Sequence, residues 1–368
     1  MRIADLQLRN YRNYSSLNLE LDPNLNLLIG ANAQGKTNLL ESITFLSTGK
    51  SFRTRNEGEM VLWDEKQCAV AGKIVSRPGT EKLKVVYDAQ SKLKEYSANG
   101  VTMPRSAFTG KLICVLFTPE DLSLVKGAPH VRRKYFDEEI SKISPLYEHE
   151  TGRYQHIVRQ RNTLLKIHRE RILHSEELAG WNEQLADKAA KIIQRRMNAI
   201  HKISLLARLA QRNLTGRDES LEITYLTTDR IRQASTPEDI RQAILDELEN
   251  KKKEEARLGQ TLVGPHRDDM VFTINGMNAR LYASQGQQRT LVLALKLAEL
   301  EFIKGETGDF PVLLFDDVFS ELDEKRRKLL VETIDGRVQT FITGTEAEKT
   351  GNLKHSGRTF TITRGEVV

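Results

Sequence analysis

The run Gly30-Ala31-Asn32-Ala33-Gln34-Gly35-Lys36-Thr37-Asn38 sets two glycines, a lysine and a threonine at the Gly-x-x-x-x-Gly-Lys-Thr spacing of a phosphate loop. The chemistry open to those residue types at that spacing is nucleoside-triphosphate binding. Glycines let backbone N–H groups converge on phosphate oxygens, and a helix N-terminus adds positive dipole. Lys36 would reach the β and γ phosphates and the Thr37 hydroxyl would ligate Mg²⁺. ATP and Mg²⁺ are the expected cofactors. Much later, Pro311-Val312-Leu313-Leu314-Phe315-Asp316-Asp317 is an apolar run ending in two carboxylates. Delivered to the carboxyl edge of a parallel sheet, Asp316 would hold the metal through water and Asp317 would orient or deprotonate the attacking water. An Asp-Asp pair also serves as a helix N-cap, but a phosphate loop in the same chain favours the catalytic role. Between these stretches, Ser284, Gly286 and Gln287 precede an apolar helix over Leu291 to Ile303, a second place where an anion could be held. Ser320-Glu321-Leu322-Asp323 follows the carboxylates.

The flanks supply what these groups need. Leu25 to Ile29 has the length and apolarity of a strand, and Asn38 to Ile43 reads as a helix start, the strand-loop-helix context of the motif. Alternation over Ile3 to Leu21 predicts a hairpin beside the phosphate-loop strand. Arg12 and Asn13 lie at its tip, where they could reach a nucleotide or form an exposed turn. Strand-like stretches at Cys68 to Ile74, Lys82 to Tyr87 and Leu93 to Ser97, with the hairpin signal Asn99-Gly100, predict a β-rich lobe over about residues 60–117, closed by a buried strand from Lys111 to Phe117. From Leu146 to Thr236 there is no proline, and Ile193, Met197, Ile200, Ser204, Ala207, Gln211 and Leu214 follow helical spacing. Two antiparallel helices meeting near His174 to Gly180, each about 45 Å long, satisfy that pattern. A further helix is expected from Pro237 to Leu258, then a strand over Val271 to Ile274 closed by Asn275-Gly276.

The chain has 368 residues, 39% hydrophobic and 29% charged, with a net charge of +6, so it belongs with ordinary globular proteins. No apolar run approaches a membrane span and Met1-Arg2-Ile3-Ala4-Asp5 has no signal-peptide core, so a cytoplasmic protein without membrane contact is expected. Cys68 and Cys114 stand apart, which points to neither zinc nor a disulfide framework. From Arg153 to Arg217 fourteen Lys and Arg face five Asp and Glu, a local balance of +9. That segment is a candidate polyanion surface, or else a solvated helix face.

Phosphate loop, Ser-x-Gly-Gln, apolar strand with paired acids and Ser-x-Leu-Asp, in that order with a helical insertion, resemble the ATP-binding-cassette ATPases of the SMC and Rad50 class. Within that class the whole chain is similar to the RecF family of recombination mediators. The residues carrying the likeness are Tyr11-Arg12-Asn13-Tyr14, Gly30 to Asn38, Pro119-Glu120-Asp121-Leu122, Val131-Arg132-Arg133, Gly264-Pro265-His266-Arg267-Asp268-Asp269, Ser284 to Arg289 and Asp316 to Asp323. The resemblance implies an α/β ATPase head built from both ends of the chain, with a β-rich lobe and an inserted antiparallel helical arm. On this reading residues 1–145 and 237–368 form the head and 146–236 the arm. It also implies a weak, DNA-dependent ATPase of recombination, replication restart and the SOS response. DNA, double-stranded, gapped or single-stranded, is the expected partner, as are RecR, RecO and an ATP-dependent second copy. In this class the signature of one copy completes the other's γ-phosphate site, so Ser284 and Gly286 would act in trans, and Asp323 joins the nucleotide contacts. Three features depart from the class. Asp317 stands where many members carry glutamate, Thr343 replaces the usual switch histidine, and no glutamine loop follows Phe117. His266 and Arg267 match the family pattern, either as a structural turn or as a substrate contact. A transporter ATPase would show Leu-Ser-Gly-Gly-Gln and a switch histidine, and a mechanical tether would need a far longer coiled coil.

Overall fold

The computed structural model describes residues 1–167, 176–317, 322–334, 336–345 and 357–367. Two compact units are present, one of Met1–Asp121 with Glu299–Val368 and one of Leu122–Ala298.

The first unit opens with β1 (Arg2–Tyr11), β2 (Tyr14–Glu20), β3 (Leu25–Ile29), α1 (Lys36–Thr48), β4 (Gln67–Ser76), β5 (Gly79–Asp88), β6 (Leu93–Ala98), β7 (Val101–Met103), the one-turn α2 (Arg105–Phe108) and β8 (Cys114–Phe117). An antiparallel sheet runs β2-β1-β4-β5-β6-β7. Its tight turn falls at Asn99-Gly100, with φ of 51° and 82°, the left-handed values a two-residue hairpin needs and these residues tolerate. The N-terminal hairpin forms as the alternation predicts, but it pairs with β4 and not with the phosphate-loop strand. Period-two alternation tells which face is buried and is silent about which neighbour supplies the hydrogen bonds. The strand expected over Lys111 to Phe117 is shorter, beginning at Cys114.

The second unit contains α3 (Ser123–Lys126), α4 (Pro129–Ile143), α5 (Pro145–Ile167), α6 (Glu176–Thr215), β9 (Leu221–Leu226), α7 (Asp229–Gln233), α8 (Pro237–Leu258), β10 (Asp269–Ile274), β11 (Met277–Asn278), α9 (Ala279–Tyr282) and the start of α10 (Gln285–Thr307). Arg161 reaches Asn182 and Arg195 pairs with Glu150, so α5 and α6 run antiparallel. They are unequal, 23 and 40 residues, or about 34 and 60 Å, where the sequence predicts equal lengths. The predicted stripe on α6 is largely buried, including its polar members Ser204 and Gln211. The helical reading of 146–236 misses β9, whose Leu221, Ile223 and Tyr225 face inward and whose backbone pairs with β10. α8 has the expected bounds because its signals are local: Thr236 and Asp239 form a reciprocal capping box, and Gly259 closes it at φ 67°.

The chain then completes the first unit with β12 (Val312–Phe315), α11 (Glu324–Ile334), β13 (Thr340–Gly344), β14 (Arg358–Thr363) and β15 (Glu366–Val367). The order β15-β14-β3-β13-β12-β8 makes a second sheet, parallel from β14 to β8. All four residues of β12 are buried, as a strand covered on both faces requires. Ser320 and Glu321, and His174 where the two helices are expected to meet, lie outside the described residues. No described helix is long and apolar enough to cross a membrane.

Candidate functional site

β3, β12 and β13 are parallel neighbours, so the loops leaving them share one edge of the sheet. From β3 the chain enters the phosphate loop and then α1, with Ala33 at φ 64° and Gly35 at φ 118°. A Cβ on Gly35 would lie 2.7 Å from the Asn13 amide and 2.9 Å from the Tyr14 hydroxyl, so the loop needs glycine for space as well as for φ. Lys36 Nζ donates to the carbonyls of Gly30 (2.7 Å) and Ala31 (2.8 Å), within its own loop.

Two hydroxyls and two acids converge here, Thr37 meeting Asp316 across 279 residues of sequence and Thr343 across 27. Thr37 Oγ1 donates to Asp316 Oδ1 at 2.9 Å, and Thr343 Oγ1, from the end of β13, donates to the same oxygen at 3.1 Å. Thr343 Oγ1 also accepts from the Asp317 backbone N–H at 2.8 Å. Asp317 sits at φ 54°, a strained conformation for a non-glycine residue, and its side chain is exposed. Burial raises the Asp316 pKa above the usual carboxylate range, the two threonine hydrogen bonds counter this, and Asp317 adds to the rise. Among the described residues no lysine or arginine forms an ion pair with Asp316. The Thr37 hydroxyl and the Asp316 carboxylate are hard oxygen donors side by side, a donor set suited to Mg²⁺ that keeps several waters and phosphate oxygens as its other ligands.

Neighbouring segments clamp the loop. Asn13 Nδ2 donates to the Gln34 carbonyl at 3.0 Å and Asn13 Oδ1 accepts from Asn38 at 2.8 Å. Arg12 is not an exposed tip: its guanidinium grips Glu41 of α1 at 2.8 and 2.6 Å, and Ser51 also donates to Glu41. Arg53 reaches Asn38 at 2.5 Å. The β14–β15 turn is a contact the sequence reading misses. Arg364 N–H donates to the Gln34 side chain at 2.7 Å and Gly365 N–H to the Gln34 carbonyl at 3.1 Å. The alternation of Phe360 and Ile362 ahead of Arg364-Gly365 announces a hairpin there, although nothing local tells where it docks. Asp323 accepts from the Arg326 backbone at 2.8 Å and so caps α11.

In the second unit, Ser284 and Gln287 form a reciprocal capping box at the start of α10. Gln287 N–H donates to Ser284 Oγ at 3.2 Å, and Ser284 N–H to Gln287 Oε1 at 2.9 Å. Gln287 Nε2 also donates to Glu219. Ser284 and Gln285 are exposed, and Gly286 lies in the first turn. The segment Gly264–Asp269 is instead a hydrogen-bonded knot, with Gly264, Pro265 and Asp268 buried and Arg267 exposed. Arg267 N–H closes a turn on Gly264, and Tyr154 hydrogen-bonds His266 Nδ1 at 2.5 Å while His266 Nε2 meets the Thr261 carbonyl. Arg132 grips Asp269 through two 2.8 Å bonds, and Arg196 joins Asp137 to the Pro265 carbonyl. Burial pushes His266 down to about 4 and Asp268 up to about 6. These contacts place His266 and Arg267 in a turn tied to Thr261.

The basic arm is less cationic than its composition. Arg161 is buried against Glu255 and Arg196 against Asp137, Arg195 faces Glu150, and Lys188 and Lys191 share Asp187. Arg153, Arg159, Lys166, Arg212 and Arg217 remain exposed, and Arg169 and Arg171 lie outside the described residues.

A family model described as the RecF/RecN/SMC N-terminal domain matches residues 2–366. The DNA replication and repair protein RecF of Natranaerobius thermophilus is 41% identical, covering 100% of this chain and 98% of that protein. The protein of the same name from Enterococcus faecalis is 41% identical over 95% of this chain and 93% of its own. Among solved structures, one described as the recombination mediator protein RecF-ATPrS in the RecFOR pathway superposes with a TM-score of 0.91 at 35% identity, covering 100% of this chain and 97% of that one. An Smc head bound to the C-terminal winged-helix domain of ScpA shares the fold, with a TM-score of 0.60 at 15% identity and coverage of 100% and 97%.

Proposed function

The chain belongs to the RecF branch of the RecF/RecN/SMC N-terminal family, and on that premise we propose that it is an ATP-gated DNA-binding protein of recombinational repair and replication restart. The observation that carries this reading is the convergence of Thr37, Asp316, Thr343 and Asp317 at the edge of the parallel sheet. Lys36 and the loop amides would bind the phosphates, and Thr37 and Asp316 would hold Mg²⁺, which would supply neutralisation of phosphate charge. Asp317 orients a water for in-line attack on the γ-phosphorus, giving ADP and inorganic phosphate. A carboxylate one methylene shorter than glutamate, on a strained backbone, fits slow turnover.

Ser284 and the α10 N-terminus act on the γ-phosphate of a second copy, so that ATP closes a homodimer and hydrolysis opens it. Such a switch works only if ATP binds the closed state better than the open one. DNA is held at junctions between duplex and single strand, where RecO and RecR help load recombinase. The relatives' names and the RecFOR pathway of the solved structures support this assignment. The test is solution mass by light scattering with ATP, with ADP and with neither, with and without gapped duplex. A dimer with ATP alone, lost in Ser284→Arg, is expected; a monomer throughout removes the dimer switch and leaves nucleotide binding.

A further inference from the structure

The C-terminal hairpin reaches the phosphate loop from a part of the chain that carries no nucleotide motif. β14 runs parallel to β3, with Thr361 opposite Ile29, so both strands release the chain at the same edge of the sheet. There β3 releases the phosphate loop, and β14 releases the two-residue turn Arg364-Gly365, framed by the pair Thr363 and Glu366. The packing is close. A Cβ on Gly30 would lie 2.3 Å from the Ile362 carbonyl oxygen, and one on Gly365 would lie 2.2 Å from the Asn13 carbonyl oxygen. Both turn residues are left-handed, at φ 50° and 83°. Asparagine and glycine suit such a turn, yet arginine holds its first position, and the N–H groups of this strained pair are the ones that meet Gln34.

Gln34 is the crest of the phosphate loop, set between Ala33 at φ 64° and Gly35 at φ 118°. Its side-chain oxygen accepts the Arg364 N–H at 2.7 Å, and its carbonyl accepts both the Gly365 N–H at 3.1 Å and Asn13 Nδ2 at 3.0 Å. In a trans peptide the C=O and the following N–H point in opposite directions, and the described residues contain no cis bond. Holding the Gln34 carbonyl on the hairpin therefore turns the Gly35 N–H away from it. We propose that the Arg364-Gly365 turn is a positioning element of the nucleotide site, fixing the Gln34-Gly35 peptide plane so that the Gly35 amide is oriented for a phosphate oxygen before nucleotide arrives. An amide free to rotate would have to be ordered on binding, which lowers affinity. This assignment rests on the nucleotide binding proposed above and gives the C-terminal hairpin a part in it.

The test is the affinity of the full-length protein for ADP and for ATP by titration calorimetry, with the thermal unfolding midpoint measured alongside. Gln34→Ala removes the acceptor for Arg364 and should weaken both nucleotides about fivefold, the effect of one neutral hydrogen bond, without moving the midpoint. Gly365→Ala drives a Cβ against the Asn13 carbonyl and should weaken both on the order of tenfold, since it displaces the donors of two bonds. Because both changes act on one peptide plane, the double variant should lose no more than Gly365→Ala alone. Gln34→Ala decides the matter by itself if Gly365→Ala does not fold. Folded variants that bind both nucleotides as the parent does overturn the positioning role. So does a loss confined to ATP, because an oriented loop amide serves the phosphates that ADP shares. Affinity that falls only in step with the midpoint reduces the turn to a structural support and overturns the proposal too. A parent that binds neither nucleotide overturns the ATP reading itself.

Discussion

Asp316 follows the buried strand β12 and Asp269 opens the half-buried strand β10, and their surroundings differ in kind. Asp269 is gripped by the two nitrogens of Arg132, and in the same unit Arg196, Arg161, Tyr154 and Tyr225 are each tied to a fixed partner. Asp316 is held by two threonine hydroxyls. Hydroxyls orient a carboxylate without neutralising it, so its charge stays available to a cation from solution, whereas a bidentate arginine cancels it. The first arrangement builds a scaffold and the second a binding site.

The largest test of this contrast is in the scaffold. Arg161→Ala leaves Glu255 buried and uncompensated, which should cost about 3–5 kcal/mol in urea unfolding, while Arg161→Met with Glu255→Leu should regain most of it. A loss under about 1 kcal/mol would mean that the arm tolerates an unpaired buried charge.

The next test is pH. His266 titrates near 4 in the fold against 6.5 in the unfolded chain, so its contribution is complete above pH 6.5 and is lost as pH falls toward 4. Asp268 titrates near 6 against 3.8, so it opposes folding above pH 6 and that opposition fades as pH falls toward 4. Each is worth on the order of 3 kcal/mol, with opposite slopes between pH 4 and 6. Unfolding midpoints of the parent should stay nearly level across that window. In His266→Asn they should fall as pH rises, and a level profile there would contradict the pairing.

At the phosphate loop the effects are smaller and appear in turnover. Thr343→Val removes the hydroxyl that joins both acids, so ATP hydrolysis should slow about 10- to 100-fold while ATP affinity and unfolding midpoint change little. Thr343→Ser should restore the rate. A modest stability effect is expected at the signature. Ser284→Ala removes a helix cap worth about 1 kcal/mol, and Ser284→Asp keeps the cap but repels a γ-phosphate. Intact stability with loss of the ATP dimer in Ser284→Asp separates the proposed phosphate role from capping.

What sequence alone determined is local. The phosphate loop, the Asn99-Gly100 and Asn275-Gly276 turns, the buried run of β12 and the Thr236-to-Gly259 limits of α8 are each specified within a few residues, because backbone propensity, capping and burial period act at that range. The fold class was legible as well, since the motifs come in a telling order. Only the tertiary structure decided which sheet takes the N-terminal hairpin, that Arg12 spends its charge on Glu41, that Thr343 bridges the two acids, that a C-terminal turn holds Gln34, and which arm arginines are buried. Those outcomes are choices among chemically equivalent partners far apart along the chain. Composition counts such groups, but strand order and packing select which of them meet.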